Sequence, residues 1–165
     1  MAYITMINLR STPSLPKFLS VPLKILPPKT HSRVLVKVLN YILAENLKAG
    51  DLDFLDSKSV CIFVTDINIK YFISLEHQRL IALAPEDNND IEIMANVYDF
   101  LQLAARQQDP DTLMFQRRLV LQGNTELGLE IKNLLDSIDI ESSAYLTKIE
   151  YLLQKSLPVY HKLFR

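Results

Sequence analysis

From about Ser32 onward, apolar residues return at three- and four-residue spacing. Leu35, Val38, Leu39, Ile42 and Leu43 share one face of a helix that Gly50 ends. The period then changes to two. Ser59–Thr65 is an apolar run (SVCIFVT), and Asp66-Ile67-Asn68 makes a turn. Ile69, Tyr71, Ile73 and Leu75 alternate with Lys70, Ser74 and Glu76, which predicts a strand with one buried face. Glu76–Arg79 reads as a hairpin tip leading into a strand over Leu80–Leu83. Asp87–Asp90 is a loop and Ile91–Ala95 a fourth strand. Asn96, with Asp99 three residues on, has the spacing of a cap for a helix through Ala105.

The stretch Asp109–Leu129 compresses several signals into a short space. Asp109-Pro110 marks a helix start, because Asp accepts a bond from a free amide and Pro at the first helical position loses nothing. That helix runs to about Gln116, and Arg118–Gln122 is a fifth strand, apolar inside and polar at both ends. Gly123-Asn124 breaks the strand, and Asn124 or Thr125 caps a helix that buries Leu127, Ile131, Leu134, Leu135 and Ile138. A last helix from about Ser142 presents Leu146, Ile149, Leu152 and Leu153 and stops near Pro158. Residues 13–28 are apolar but hold five prolines, so no long helix is expected there. Strands gathered early and helices around them predict an α+β fold: a five-stranded, mainly antiparallel sheet covered by helices.

Composition sharpens this picture in three ways. The 165 residues suffice for one domain with a real core. No apolar run reaches the roughly 18–20 residues that span a bilayer, and the first residues lack a secretory pattern. The single cysteine, Cys61, sits in an apolar run, which predicts a buried inert thiol and is compatible with a reducing cytoplasm. The net charge of −1 hides a split. Lys and Arg outnumber acids seven to one over residues 1–49 and four to one over 145–165, whereas 50–144 carry 17 acids against seven bases. Basic flanks beside Phe18, with Lys17, Lys24 and Lys29, suit contact with an anionic membrane surface; solvated helix faces explain the same charges.

Candidate chemistry is sparse. His31, His77 and His161 lie far apart, with no partner at a ligand spacing, so no metal site is expected. Three scattered glycines make no phosphate loop. Asp109 and Asp111 are explained by capping and the helix dipole. Arg117-Arg118 at a strand entry reads as salt-bridge partners, with phosphate or phenolate binding the functional alternative. The acidic body argues against nucleic acid. No catalytic residue, and no cofactor, is expected.

One family resemblance is carried by Asp109-Pro110-Asp111-Thr112, Phe115–Val120 (FQRRLV), Gly123, Thr125–Leu129 (TELGL) and Lys132-Asn133-Leu134, with Ala104-Ala105-Arg106 and Leu19–Lys24 upstream. These residues resemble the UbiT (YhbT) family, accessory factors of dioxygen-independent ubiquinone biosynthesis with a sterol carrier protein 2-like lipid-binding domain. The likeness covers most of the chain, is strongest over 99–136, and thins over Ala82–Asp90 and after Glu141. It implies a Pro-rich extension over 1–31, the lipid-binding domain over 32–141 and an amphipathic C-terminal helix over 142–165. It also implies an apolar tunnel, where composition alone favours a dry, close-packed core. By the same resemblance the protein is a non-catalytic carrier of polyprenylated quinone precursors. It would present them to ring-modifying enzymes, with UbiU- and UbiV-like proteins as partners, in the cytoplasm and in reach of the inner membrane. Lipid-free scaffolding and general fatty-acyl carriage are the other readings. Pattern assigns the tunnel walls to Ile62, Val64, Ile93, Leu119 and Leu121 of the sheet and to Leu101, Leu127, Ile131, Leu134 and Leu135 of the helices.

Overall fold

The computed structural model describes residues 28–85, 88–137, 151 and 154–162, with side chains from His31 onward. The first helix, α1 (Pro28–Ile42), begins four residues before the apolar spacing does. Pro28 takes its first position, where a missing N–H costs nothing. After a break at Leu43 comes α2 (Ala44–Ala49), closed by Gly50 at φ 83°. Only a residue that tolerates left-handed backbone lets the Gly50 and Asp51 amides turn back to the Leu47 and Asn46 carbonyls. A 3₁₀ turn over Asp53–Leu55, which no periodicity announced, leads into the sheet.

The strands are β1 (Val60–Val64), β2 (Ile69–Glu76), β3 (Arg79–Ala82), β4 (Ile91–Ala95) and β5 (Val120–Gly123). Their order is β3-β2-β1-β4-β5, antiparallel except where β4 lies parallel to β1. The β2–β3 hairpin turns on His77 and Gln78, both at positive φ, as a two-residue turn of this twist requires. Where β1 and β4 start side by side, Ser59 and Asp90 exchange bonds. The Ser59 amide and hydroxyl donate to Asp90 Oδ2 (2.7 and 3.0 Å), and Ser59 Oγ accepts from the Asp90 amide (3.0 Å). β2 departs from the predicted single buried face. Phe72 and Ser74, on the face opposite Ile73, are buried as well.

Three more helices follow the caps read from sequence. Asn96 Oδ1 accepts from the Asp99 amide (2.7 Å) and starts α3 (Val97–Ala104). Asp109 accepts from the Thr112 amide (2.7 Å) and starts α4 (Pro110–Phe115). Asn124 Oδ1 accepts from the Leu127 amide (3.0 Å) and starts α5 (Thr125–Ser137). Gly123 cannot be another residue: at φ 129° a Cβ would stand 2.4 Å from the Asp90 carbonyl oxygen.

A last helical stretch, α6 (154–162), runs through Pro158 rather than stopping there. The ring removes the amide that would serve the Gln154 carbonyl, and Gln107 Nε2 reaches that oxygen instead (3.4 Å). Leu157 of this stretch is buried with Tyr98 and Ala105, and Tyr160 stacks on Tyr98 at 5.5 Å. The Ile138, Leu146, Ile149, Leu152 and Leu153 positions lie outside the described residues, as do Lys17, Phe18, Lys24 and the Lys29 side chain.

The core sits on one face of the sheet. There Val60, Ile73, Leu75, Leu80 and Ile91 meet Val36, Leu43, Leu47, Leu52, Leu55, Leu127 and Ile131 from the helices. Asn40 locks α1 to the sheet edge: its Nδ2 donates to the Leu80 carbonyl (2.8 Å) and its Oδ1 accepts from the Leu80 amide (2.9 Å).

Candidate functional site

Strand register lines up Tyr71 of β2, Ile62 of β1, Ile93 of β4 and Leu121 of β5 across four strands, on the helix-covered face. All four are only partly buried. The lines on either side are closed: Ile73, Val60 and Ile91 on one, Ile69, Val64 and Ala95 on the other.

Helix placement explains the contrast. α1 covers β2 and β3, while α5 sits against β5 and the 3₁₀ turn. One end of the sheet is sealed by Leu43, Leu47, Leu52 and Leu55. The other is sealed by Ile67 together with Val97 and Phe100. The middle line falls between these seals, and Leu39, Ile42, Phe54, Leu134 and Leu135, also partly buried, pack against the same core as Ile62, Ile93 and Leu121. A line of accessible apolar side chains inside an otherwise closed face is suited to an elongated apolar group.

Of the positions assigned from pattern, Ile62, Ile93, Leu121, Leu134 and Leu135 come together here, with Leu127 and Ile131 packed in the same core. Val64 belongs to the next line, in a cluster with Ile67 and Ile69. Leu119 is enclosed with Ala95 and Leu113. Leu101 packs against a separate cluster, Tyr98, Ala105 and Leu157, outside the core of the open line. Tyr71, not among those positions, joins the same line, on the inner face that the alternation of β2 predicts. The His31 ring meets Tyr71 edge-on, with centroids 5.3 Å apart and planes at 88°.

The charged groups are occupied elsewhere. Asp99 is 1% exposed and takes a hydrogen-bonded ion pair from Arg118, whose Nη2 also donates to Gln102 Oε1 at 2.5 Å. Burial pushes the Asp99 carboxyl above its usual range, against the pull of Arg118. Arg118 is thus the salt-bridge residue of the Arg pair, and Arg117 is exposed. Lys132 spans α4 and α5, 3.2 Å from both Asp111 and Asp136. Cys61 is fully buried on the opposite sheet face, its thiol pushed up to about 12 by burial and then by Glu92. A thiol so held is not a nucleophile at neutral pH. Among the described residues no three His, Cys, Asp or Glu side chains converge as a metal site would require.

The sequence pattern of the SCP-2 sterol transfer family matches residues 39–136, which hold all five strands of this sheet. A solved structure described as the UbiJ-SCP2 ubiquinone synthesis protein has the same fold, with a TM-score of 0.54 at 18% identity over 67% of this chain and 96% of that one. The ubiquinone biosynthesis accessory factor UbiT of Escherichia coli is 43% identical over 126 residues, 76% of this chain and 72% of its own. The chain therefore belongs to the SCP-2 sterol transfer family and, within it, to the family of UbiT.

Proposed function

We propose that this protein is a non-catalytic accessory factor of ubiquinone biosynthesis that binds polyprenylated intermediates and presents them to ring-modifying enzymes. The line Tyr71–Ile62–Ile93–Leu121 carries the reading, because an isoprenoid tail laid along it would leave water for an apolar wall. Each CH₂-sized group so buried contributes about 0.8 kcal/mol, so a tail of several isoprene units supplies the affinity without any charged contact. The relationship to UbiT supports the pathway. The Asp109–Asn133 segment, by its likeness to that family, supports the dioxygen-independent branch, on which UbiU- and UbiV-like proteins would be the partners. The basic flanks, Lys17, Lys24 and Lys29 among them, bring the carrier to the inner membrane surface.

Row-blocking tests this directly. Ile62→Trp fills the middle of the line and is expected to weaken binding of a farnesylated phenol at least about tenfold by isothermal titration calorimetry. Equal affinity in wild type and variant, or no binding by wild type, would remove the carrier reading and leave lipid-free scaffolding.

A further inference from the structure

The apolar line has a polar end. At its β2 terminus Tyr71 packs against His31, in the first turns of α1. The next residue, Ser32, is 1% exposed, yet its hydroxyl has no hydrogen-bond partner. The His31 Nδ1 atom is buried and without a partner too. Ser32 stands about one turn before Val36 and about three before Leu43, both buried against the sheet. That spacing aims its hydroxyl at the sheet rather than at solvent. A buried hydroxyl left unpaired bears its full desolvation penalty, and native folds rarely keep such groups on two successive residues without a use.

We infer that Tyr71, His31 and Ser32 form a head-group subsite for a ligand whose apolar chain ends in an uncharged hydrogen-bonding group, a hydroxyl or carbonyl, and not in a carboxylate or phosphate. This rests on the carrier reading above and names the ligand class within it.

The chemistry of the corner selects that class. Ser32 can donate and accept, and His31 Nδ1 can do either according to tautomer. Burial holds the His31 imidazole below its usual range and the Tyr71 phenol above its own, so both are neutral at pH 7. No described cation faces the corner. Arg33 and Lys37 of α1 are exposed, and Lys70 lies on the opposite sheet face, 2.7 Å from Glu92. A carboxylate entering here would lose its hydration without gaining a counter-charge.

Three probes with one C15 chain separate the possibilities: farnesol, farnesene and farnesoic acid. Wild type is expected to bind farnesol at least about tenfold more tightly than the hydrocarbon or the ionised acid. In Ser32→Ala/His31→Phe the preference for farnesol over the hydrocarbon, which uses the chain alone, should shrink to about threefold or less. Ser32→Ala by itself should not lower Tm, since it removes a hydroxyl that has no partner. Equal wild-type binding of all three probes overturns the subsite and leaves the carrier intact. So does a preference that survives in the double variant. Binding of none of the three overturns both.

Discussion

Gly123 and Asp90 show how single residues hold the two halves of the sheet together. Gly123 closes β5 where the chain passes the Asp90 carbonyl, and both its φ and the absent Cβ are required there. Gly123→Ala is therefore expected to cost more than about 2 kcal/mol in urea unfolding, from strain and collision together. The Asp90 carboxylate sits beside the Ser59 amide and hydroxyl, which hold its pKa below the ordinary range. A carboxyl depressed in the fold contributes stability above its unfolded pKa and loses it as pH falls through the folded value. Asp90→Asn should thus be less stable than wild type at pH 7, and the gap should narrow as pH drops below about 4. A gap independent of pH would contradict the assignment. Other residue-scale features were not readable beforehand. α3 and α4 are followed by Arg106 and Arg117 in left-handed backbone, where a sequence reader looks for Gly or Asn.

Among elements, those with strong local signals were legible: the caps at Asn96, Asp109 and Asn124, the alternation of β2, and the limits of β4. The 3₁₀ turn and the passage of α6 through Pro158 were not, since the first has no period and the second depends on a distant glutamine. The candidate site divides along the same boundary. Ile62, Ile93 and Leu121 could be chosen because strand period fixes their face. That their line is open while those beside it are closed depends on where α1 and α5 settle, which is a matter of tertiary packing. Leu101 packs with Tyr98, Ala105 and Leu157 for the same reason, since helix spacing does not say which neighbour takes a given face. Paired substitutions test the difference between the lines. Ile62→Trp, into the open line, is expected to cost less than about 1 kcal/mol, and Val60→Phe, one line away, about 1–3 kcal/mol from overpacking. Equal large costs in denaturant unfolding would mean that the middle line is as full as its neighbours.

At the scale of the molecule, a sheet with a partly open inner face lies between two strongly basic flanks of sequence. Sheet order was beyond reach of the sequence pattern, because β1 and β4 pair in parallel across 31 residues and periodicity says nothing of partners. The charge split was plain from the start, and it has a consequence for delivery. Reversing Lys17, Lys24 and Lys29 together should weaken co-sedimentation with anionic liposomes at low salt, with neutral liposomes unaffected. Unchanged co-sedimentation would remove the membrane-surface step while leaving the carrier reading in place. The carrier reading itself is tested most directly by organic extraction of the protein purified from its native host, followed by mass spectrometry. The expected result is co-purified polyprenylated precursors with uncharged head groups. An extract free of prenylated lipids, from a protein that takes up none when they are supplied, would contradict it.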